Sequence, residues 1–178
     1  LLTPVLSDGK KSINALRWAV KEMERRYEVL SDYNARDIWS FNNIIFKKRE
    51  EDSFMPYLVI IIDELADLMA AYGREVEGTI IRLAQMARAV GIHLVVSTQR
   101  PSVEVLTGLI KANITSRIAL QVPSQIDSRT ILDMAGAEKL LGNGDMLYLS
   151  GDSSKPRRLQ GVYILEKEIK RVVDYITD

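Results

Sequence analysis

Six apolar residues in a row, Tyr57-Leu58-Val59-Ile60-Ile61-Ile62, run straight into two carboxylates, Asp63 and Glu64. No other stretch constrains the fold as much. The run is rich in β-branched side chains, follows Pro56 and lacks any alternation of apolar with polar residues. That pattern predicts a strand buried on both faces, as in a mainly parallel sheet covered by helices. A membrane-crossing helix would need roughly 20 apolar residues. In open α/β sheets ligands bind at the carboxyl ends of strands. An Asp there can hold Mg²⁺ while the metal bridges nucleotide phosphates. A neighbouring Glu can orient and deprotonate an attacking water. The same pair would also suit a plain helix start, where acidic residues favour the dipole. The motif by itself leaves both readings open.

The flanking sequence alternates strands and helices. Leu1 to Leu6 reads as a short strand, and Ser7 or Asp8 as the cap of a helix with Ile13, Leu16, Val20, Met23, Tyr27 and Leu30 on one face. Glu22, Glu24, Arg25 and Arg26 fall on its polar side. A second helix is predicted at about 36–46, then an exposed charged loop, Lys47-Lys48-Arg49-Glu50-Glu51-Asp52. A helix over 75–90 ends at Gly91, and a second buried strand covers 92–97. The single histidine, His93, lies in that strand pattern and reads as structural. Helices at 103–112, 124–135 and 166–176 and β segments at 115–122, 145–149 and 157–165 complete an α/β domain spanning 1–178.

The second strand ends in Ser97-Thr98-Gln99-Arg100-Pro101, which brings polar groups to the same sheet edge as Asp63 and Glu64. Thr98 and Gln99 could there sense a γ-phosphate or position a water; a routine strand exit would look the same. A phosphate-binding loop would read G-x-x-x-x-G-K-[S/T]. The nearest candidate, Gly9-Lys10-Lys11-Ser12, has Pro4 where the first Gly belongs and Lys11 where Ser or Thr belongs, so it reads as a helix start. The expectation is half of an ATP site, its phosphate-loop unit missing from the chain, in a piece of a longer protein that binds ATP poorly by itself. The 24 basic and 24 acidic residues cancel. Contact with nucleic acid must therefore rest on a few local cations or on several copies of the chain. Zero cysteines exclude disulfides and thiolate metal sites.

Several longer segments then converge on one family. Asn14-Ala15-Leu16-Arg17-Trp18 with Glu22 to Tyr27, Ile62-Asp63-Glu64-Leu65-Ala66-Asp67-Leu68-Met69, and Leu83 to Leu94 running into Ser97-Thr98-Gln99-Arg100-Pro101-Ser102 resemble the FtsK/SpoIIIE DNA translocases. So do Gly108 to Ile114, Ile126 to Asp133, Gly136 to Gly142 and Gly144-Asp145-Met146-Leu147-Tyr148. The resemblance implies a RecA-like P-loop NTPase fold and an ATP- and Mg²⁺-dependent motor, a homo-hexamer threading double-stranded DNA. It implies a place at the cytoplasmic face of the cell membrane, anchored by a segment outside this chain, and a role in chromosome partition during cell division or sporulation. By the same resemblance Asp63 is the Mg²⁺-associated Walker B carboxylate, Glu64 the catalytic base and Gln99 a polar sensor. Arg117 is the first candidate for an arginine finger and Arg129 the second. Arg36, Asn42, Lys47, Lys48 and Arg49 are the candidate DNA contacts. Two rival readings are a related secretion or conjugation ATPase and a non-hydrolysing ring-assembly module.

Overall fold

Helices and strands divide between two compact units, 1–114 and 115 onward. The computed structural model describes residues 1–177, and all of their side chains except that of Glu51. In the first unit the order is α1 (Gly9–Asp32), α2 (Ile38–Lys48), β1 (Leu58–Ile62), α3 (Leu65–Met86), β2 (Ile92–Val96) and α4 (Gly108–Asn113). β1 and β2 pair in parallel from Leu58 opposite Ile92 to Ile62 opposite Val96. A parallel pair needs a crossover, and α3 supplies it. Ile13, Leu16 and Met23 of α1 join Val76, Ile80 and Leu83 of α3 in one core, with Leu65 at the start of α3.

Local chemistry sets the element ends. Asp8 caps α1 by accepting from the Lys11 N–H at 2.8 Å, as expected of one of the two candidate caps. Residues 1–6 form no strand, in contrast to the sequence reading, and Leu1, Leu2 and Val5 are exposed. α3 begins ten residues before the predicted helix at 75. Its first turns, Leu65-Ala66-Asp67-Leu68-Met69-Ala70-Ala71, are strong helix formers except for Asp67 and carry no long apolar stripe. Tyr72 breaks the helix, with φ −137° and ψ 24°, so the regular spacing starts only beyond it.

Three expectations about burial are corrected. β1 is buried on one face only: Leu58, Ile60 and Ile62 join the core, whereas Val59 and Ile61 are exposed, Ile61 to 71%. In the described structure the helices of this unit cover a single face of the two-stranded sheet. His93 is likewise exposed and stacks on the Tyr57 ring with centroids 5.9 Å apart. Arg26, placed on the polar side of α1, is 4% exposed. Its Nε donates to Glu22 at 2.8 Å, and its Nη1 donates to the carbonyls of Pro56 and Val90, both at 2.9 Å.

The second unit carries β3 (Arg117–Ala119), α5 (Gln125–Leu132), β4 (Asp145–Leu149), β5 (Arg157–Gln160) and α6 (Glu166–Thr177). Its sheet is antiparallel in the order β3-β4-β5. Ser124 caps α5. Buried Ser128 donates to the Met134 carbonyl at 2.8 Å and accepts from the Ala137 N–H at 3.0 Å, fixing the return toward β4. Asp145, also buried, takes two hydrogen bonds from Arg158, at 2.9 and 2.6 Å, and one from the Leu141 N–H. The fold is α/β with a parallel sheet and helices, as read; the separate antiparallel sheet was not distinguished from it by the sequence pattern. Among the described residues no helix is long and apolar enough to cross a membrane.

Candidate active site

The carboxyl ends of β1 and β2 lie side by side because the strands are parallel and in register. Main-chain bonds extend that pairing past the strands: the Ser97 N–H donates to the Ile62 carbonyl and the Leu65 N–H to the Ser97 carbonyl, each at 2.9 Å. Asp63-Glu64 and Thr98-Gln99 are thus brought together, as the sequence led us to expect.

Within this cluster Glu64 is the most constrained group. It is the N-cap of α3, its Oε1 accepting from the Ala66 N–H at 3.0 Å. The Thr98 hydroxyl donates to the same oxygen, and the Gln99 N–H donates to Oε2 at 3.0 Å. The helix-start reading of the acidic pair therefore holds for this residue, which also faces the neighbouring strand exit. Partial burial pushes the Glu64 carboxyl up; the Thr98 hydroxyl, the Gln99 and Ala66 N–H groups and the Arg100 charge together outweigh that and leave it below the usual range. Asp63 differs in kind. It is exposed, and among the described residues its carboxylate receives no hydrogen bond or ion pair.

That contrast tests the fit of a metal. Mg²⁺ is commonly held by one or two carboxylates, with water and substrate phosphates completing the shell. Among the described residues no cluster of three or more metal-binding side chains exists. A single uncommitted carboxylate, Asp63, beside a structured one suits a phosphate-bridged ion.

The remaining candidates lie on other elements. Arg117 is held inside the second unit: its side chain is 18% exposed, and Nη1 donates to the Ile131 carbonyl at 2.9 Å and to Asp133 at 2.7 Å. Arg129 on α5 is exposed, and among the described residues its guanidinium donates no hydrogen bond. Arg36 precedes α2 and Lys47, Lys48 and Arg49 end it, so about 16 Å of helix separates the two groups. All four cations are exposed; Lys48 sits over the Tyr33 ring at 4.8 Å and Arg36 lies 3.3 Å from Asp37. Asn42 points inward at 7% exposure, and its amide exchanges two 2.9 Å hydrogen bonds with the main chain of Met55.

Sequence reasoning missed one pair at the site. Arg100, just past Gln99, forms an ion pair with Asp67 in the first turn of α3. Asp67 lies three residues after the N-cap, where an acidic residue also suits the dipole, so nothing in the sequence alone ties it to Arg100.

The sequence model of the FtsK/SpoIIIE family covers residues 1–103. The chain is 57% identical over 176 residues to the DNA translocase SftA of Bacillus subtilis (strain 168), covering 99% of this chain and 18% of that protein. It is 54% identical over 180 residues to the DNA translocase SpoIIIE of the same organism, covering 99% of this chain and 23% of that one. The chain thus spans about a fifth of the length of these relatives. Among solved structures, the pCW3 conjugation coupling protein TcpA, in its monomer form with ATPgS, superposes with a TM-score of 0.81 at 25% identity, over 98% of this chain and 51% of that one. The cytoplasmic domain of the type VII secretion ATPase EccC of Thermomonospora curvata gives 0.66 at 26% identity, over 82% of this chain and 17% of that one. With more than half its length under the family model and relatives above 50% identity along nearly all of it, the chain belongs to the FtsK/SpoIIIE family.

Proposed function

We propose that this chain is the hydrolytic part of an ATP-driven motor that moves double-stranded DNA. The observation that carries the reading is the juxtaposition of an uncommitted Asp63 with a three-fold held Glu64 at one sheet edge. In that reading Asp63 holds Mg²⁺, Glu64 orients the attacking water, and the exposed Gln99 side chain contacts the water or the terminal phosphate. Bound Mg²⁺ supplies charge neutralisation on the transferring phosphoryl group. Everything else asked of this chain is positioning, which phosphoryl transfer with a loose transition state mainly requires. The intact Asp63-Glu64 pair argues against a non-hydrolysing assembly module. Relatives named DNA translocases at 54–57% identity outweigh a conjugation protein at 25% in choosing the substrate.

A homo-hexamer around the duplex reconciles zero net charge per chain with DNA binding, since six copies multiply a few exposed cations. Lys47, Lys48, Arg49 and Arg36 are the proposed phosphate contacts, and Asn42 supports them by anchoring the segment that follows α2 through Met55. Coupling to chromosome partition at the division or sporulation membrane belongs to the same reading. The test is hydrolysis of ATP by the whole protein with and without duplex DNA, together with a salt titration of DNA affinity. Replacing Lys47, Lys48 and Arg49 with alanine should weaken duplex binding for all sequences. It should also flatten the dependence of log affinity on log salt by about 0.9 for each phosphate that is no longer neutralised. An unchanged slope places the DNA path elsewhere.

For the arginine finger, exposure favours Arg129 over Arg117, because a finger must reach a neighbouring subunit's nucleotide to stabilise developing charge. Arg129→Ala subunits mixed with Glu64→Gln subunits should recover part of the hydrolysis that each lacks alone. Arg117→Ala should lower the stability of the second unit, since it removes the donor to the Ile131 carbonyl and the ion pair with Asp133. Recovery with Arg117→Ala and none with Arg129→Ala reverses the assignment.

A further inference from the structure

Thr98 has one hydroxyl proton, and the structure commits it. Its Oγ1 donates to Glu64 Oε1 while accepting from the Arg100 N–H at 3.1 Å. A hydroxyl with a single donor cannot at once hold a carboxylate and donate to a phosphate oxygen. The two roles open to Thr98, phosphate sensor and partner of Glu64, are therefore alternatives.

The surroundings favour the second. Residues 97–100 are joined to residues 62–67 at several points: two main-chain bonds through Ser97, the Thr98 and Gln99 bonds to Glu64, and the Arg100–Asp67 ion pair. The Gln99 main chain is likewise committed to Glu64, which leaves its exposed side chain for the substrate side. We propose that Thr98 is a positioning residue acting through Glu64, and that the Arg100–Asp67 pair holds the strand exit where Thr98 can do so. The proposal rests on the reading of Glu64 as the water-orienting carboxylate. A glutamate side chain has three rotatable torsions, and a water-orienting carboxylate must hold one setting of them. The Ala66 N–H fixes one oxygen from the helix side, and Thr98 with Gln99 fixes both from the strand side.

The experiment uses the whole protein. Thr98→Val keeps the side-chain shape and removes the hydroxyl; it should lower kcat about tenfold while leaving KM and the Kd for ATPγS unchanged. Thr98→Ser should restore most of kcat. Asp67→Asn should lower kcat in the same sense, and its effect should fall short of additive with Thr98→Val, since both act on one carboxylate. In a Glu64→Gln background, Thr98→Val should leave ATPγS affinity where it was. Weakened ATPγS binding with kcat retained would make Thr98 a phosphate contact and overturn the proposal, as would an unchanged kcat in Thr98→Val. A wild-type protein that does not hydrolyse ATP would instead remove the reading on which the proposal stands.

Discussion

Arg26→Ala is expected to remove about 3–5 kcal/mol of folding stability, read as a fall in the denaturant midpoint at unchanged slope. The guanidinium is almost wholly buried between α1 and the sheet. Its Nη1 serves the carbonyl of Pro56, two residues before β1, and that of Val90, two residues before β2. One side chain thus fixes where both parallel strands begin relative to the long helix that packs on α3. Truncation leaves two carbonyls without their donor in a place where water must open the core to reach them. Its partner Glu22 would keep only the exposed Arg25, at 2.8 Å. Arg26→Lys should lose less, because an ammonium keeps the charge, yet stay below wild type, because it lacks the fork that reaches a carboxylate and two carbonyls together. A loss below about 1 kcal/mol for the alanine variant would mean the clamp is replaceable by solvent.

The same network sets an acid limit. Arg25's hydrogen bond, opposed by partial burial and joined by Arg26, holds the Glu22 carboxyl at about 2, against an ordinary value of 4.5. A carboxyl lowered on folding adds stability that is complete above its unfolded value. That part is lost as the pH falls from 4.5 through about 2. Glu22→Gln should therefore flatten the decline of stability across that window, and an unaltered profile would rule out this carboxyl as its source.

How much of this was legible in the sequence follows from what each feature depends on. The run into Asp63-Glu64 and the polar exit at Thr98-Gln99 are local, and the parallel register that joins them follows from two strands linked by a helix. Arg26 was misplaced because helical periodicity assigns it a flank, and only the later approach of Pro56 and Val90 turns that flank inward. Ile61 was misplaced for the opposite reason. An apolar run reports that side chains suit burial, whereas the helices of this unit cover one face. The kink at Tyr72 hid the first turns of α3, which carry no long stripe to detect. Arg117 and Arg129 look alike in sequence; what separates them is Asp133 and the Ile131 carbonyl, present only once α5 has turned back toward β3. The Arg100–Asp67 pair spans 33 positions, and neither residue stands out in its own surroundings.

Glu64→Gln is expected to slow ATP hydrolysis by the whole protein by about 10²–10⁴-fold while ATP affinity stays within a few-fold of wild type. The substitution is close to isosteric. Its amide oxygen can still accept from the Ala66 N–H or from Thr98, so the cap should weaken by only about 1 kcal/mol and the site should keep its shape. What disappears is the second acceptor oxygen and the negative charge that an attacking water would face. The carboxylate sits below the usual range with two N–H donors and a hydroxyl upon it, so it is a weak proton acceptor in this arrangement. Its contribution should accordingly lie in orienting the water more than in removing its proton early. Glu64→Asp separates the two: it keeps a carboxylate but draws it back by one methylene, away from Thr98 and Gln99. If orientation dominates, Glu64→Asp should be nearly as slow as Glu64→Gln; if basicity dominates, it should retain a substantial part of kcat. Full turnover by Glu64→Gln would remove this residue from the reaction altogether and leave it as the cap of α3.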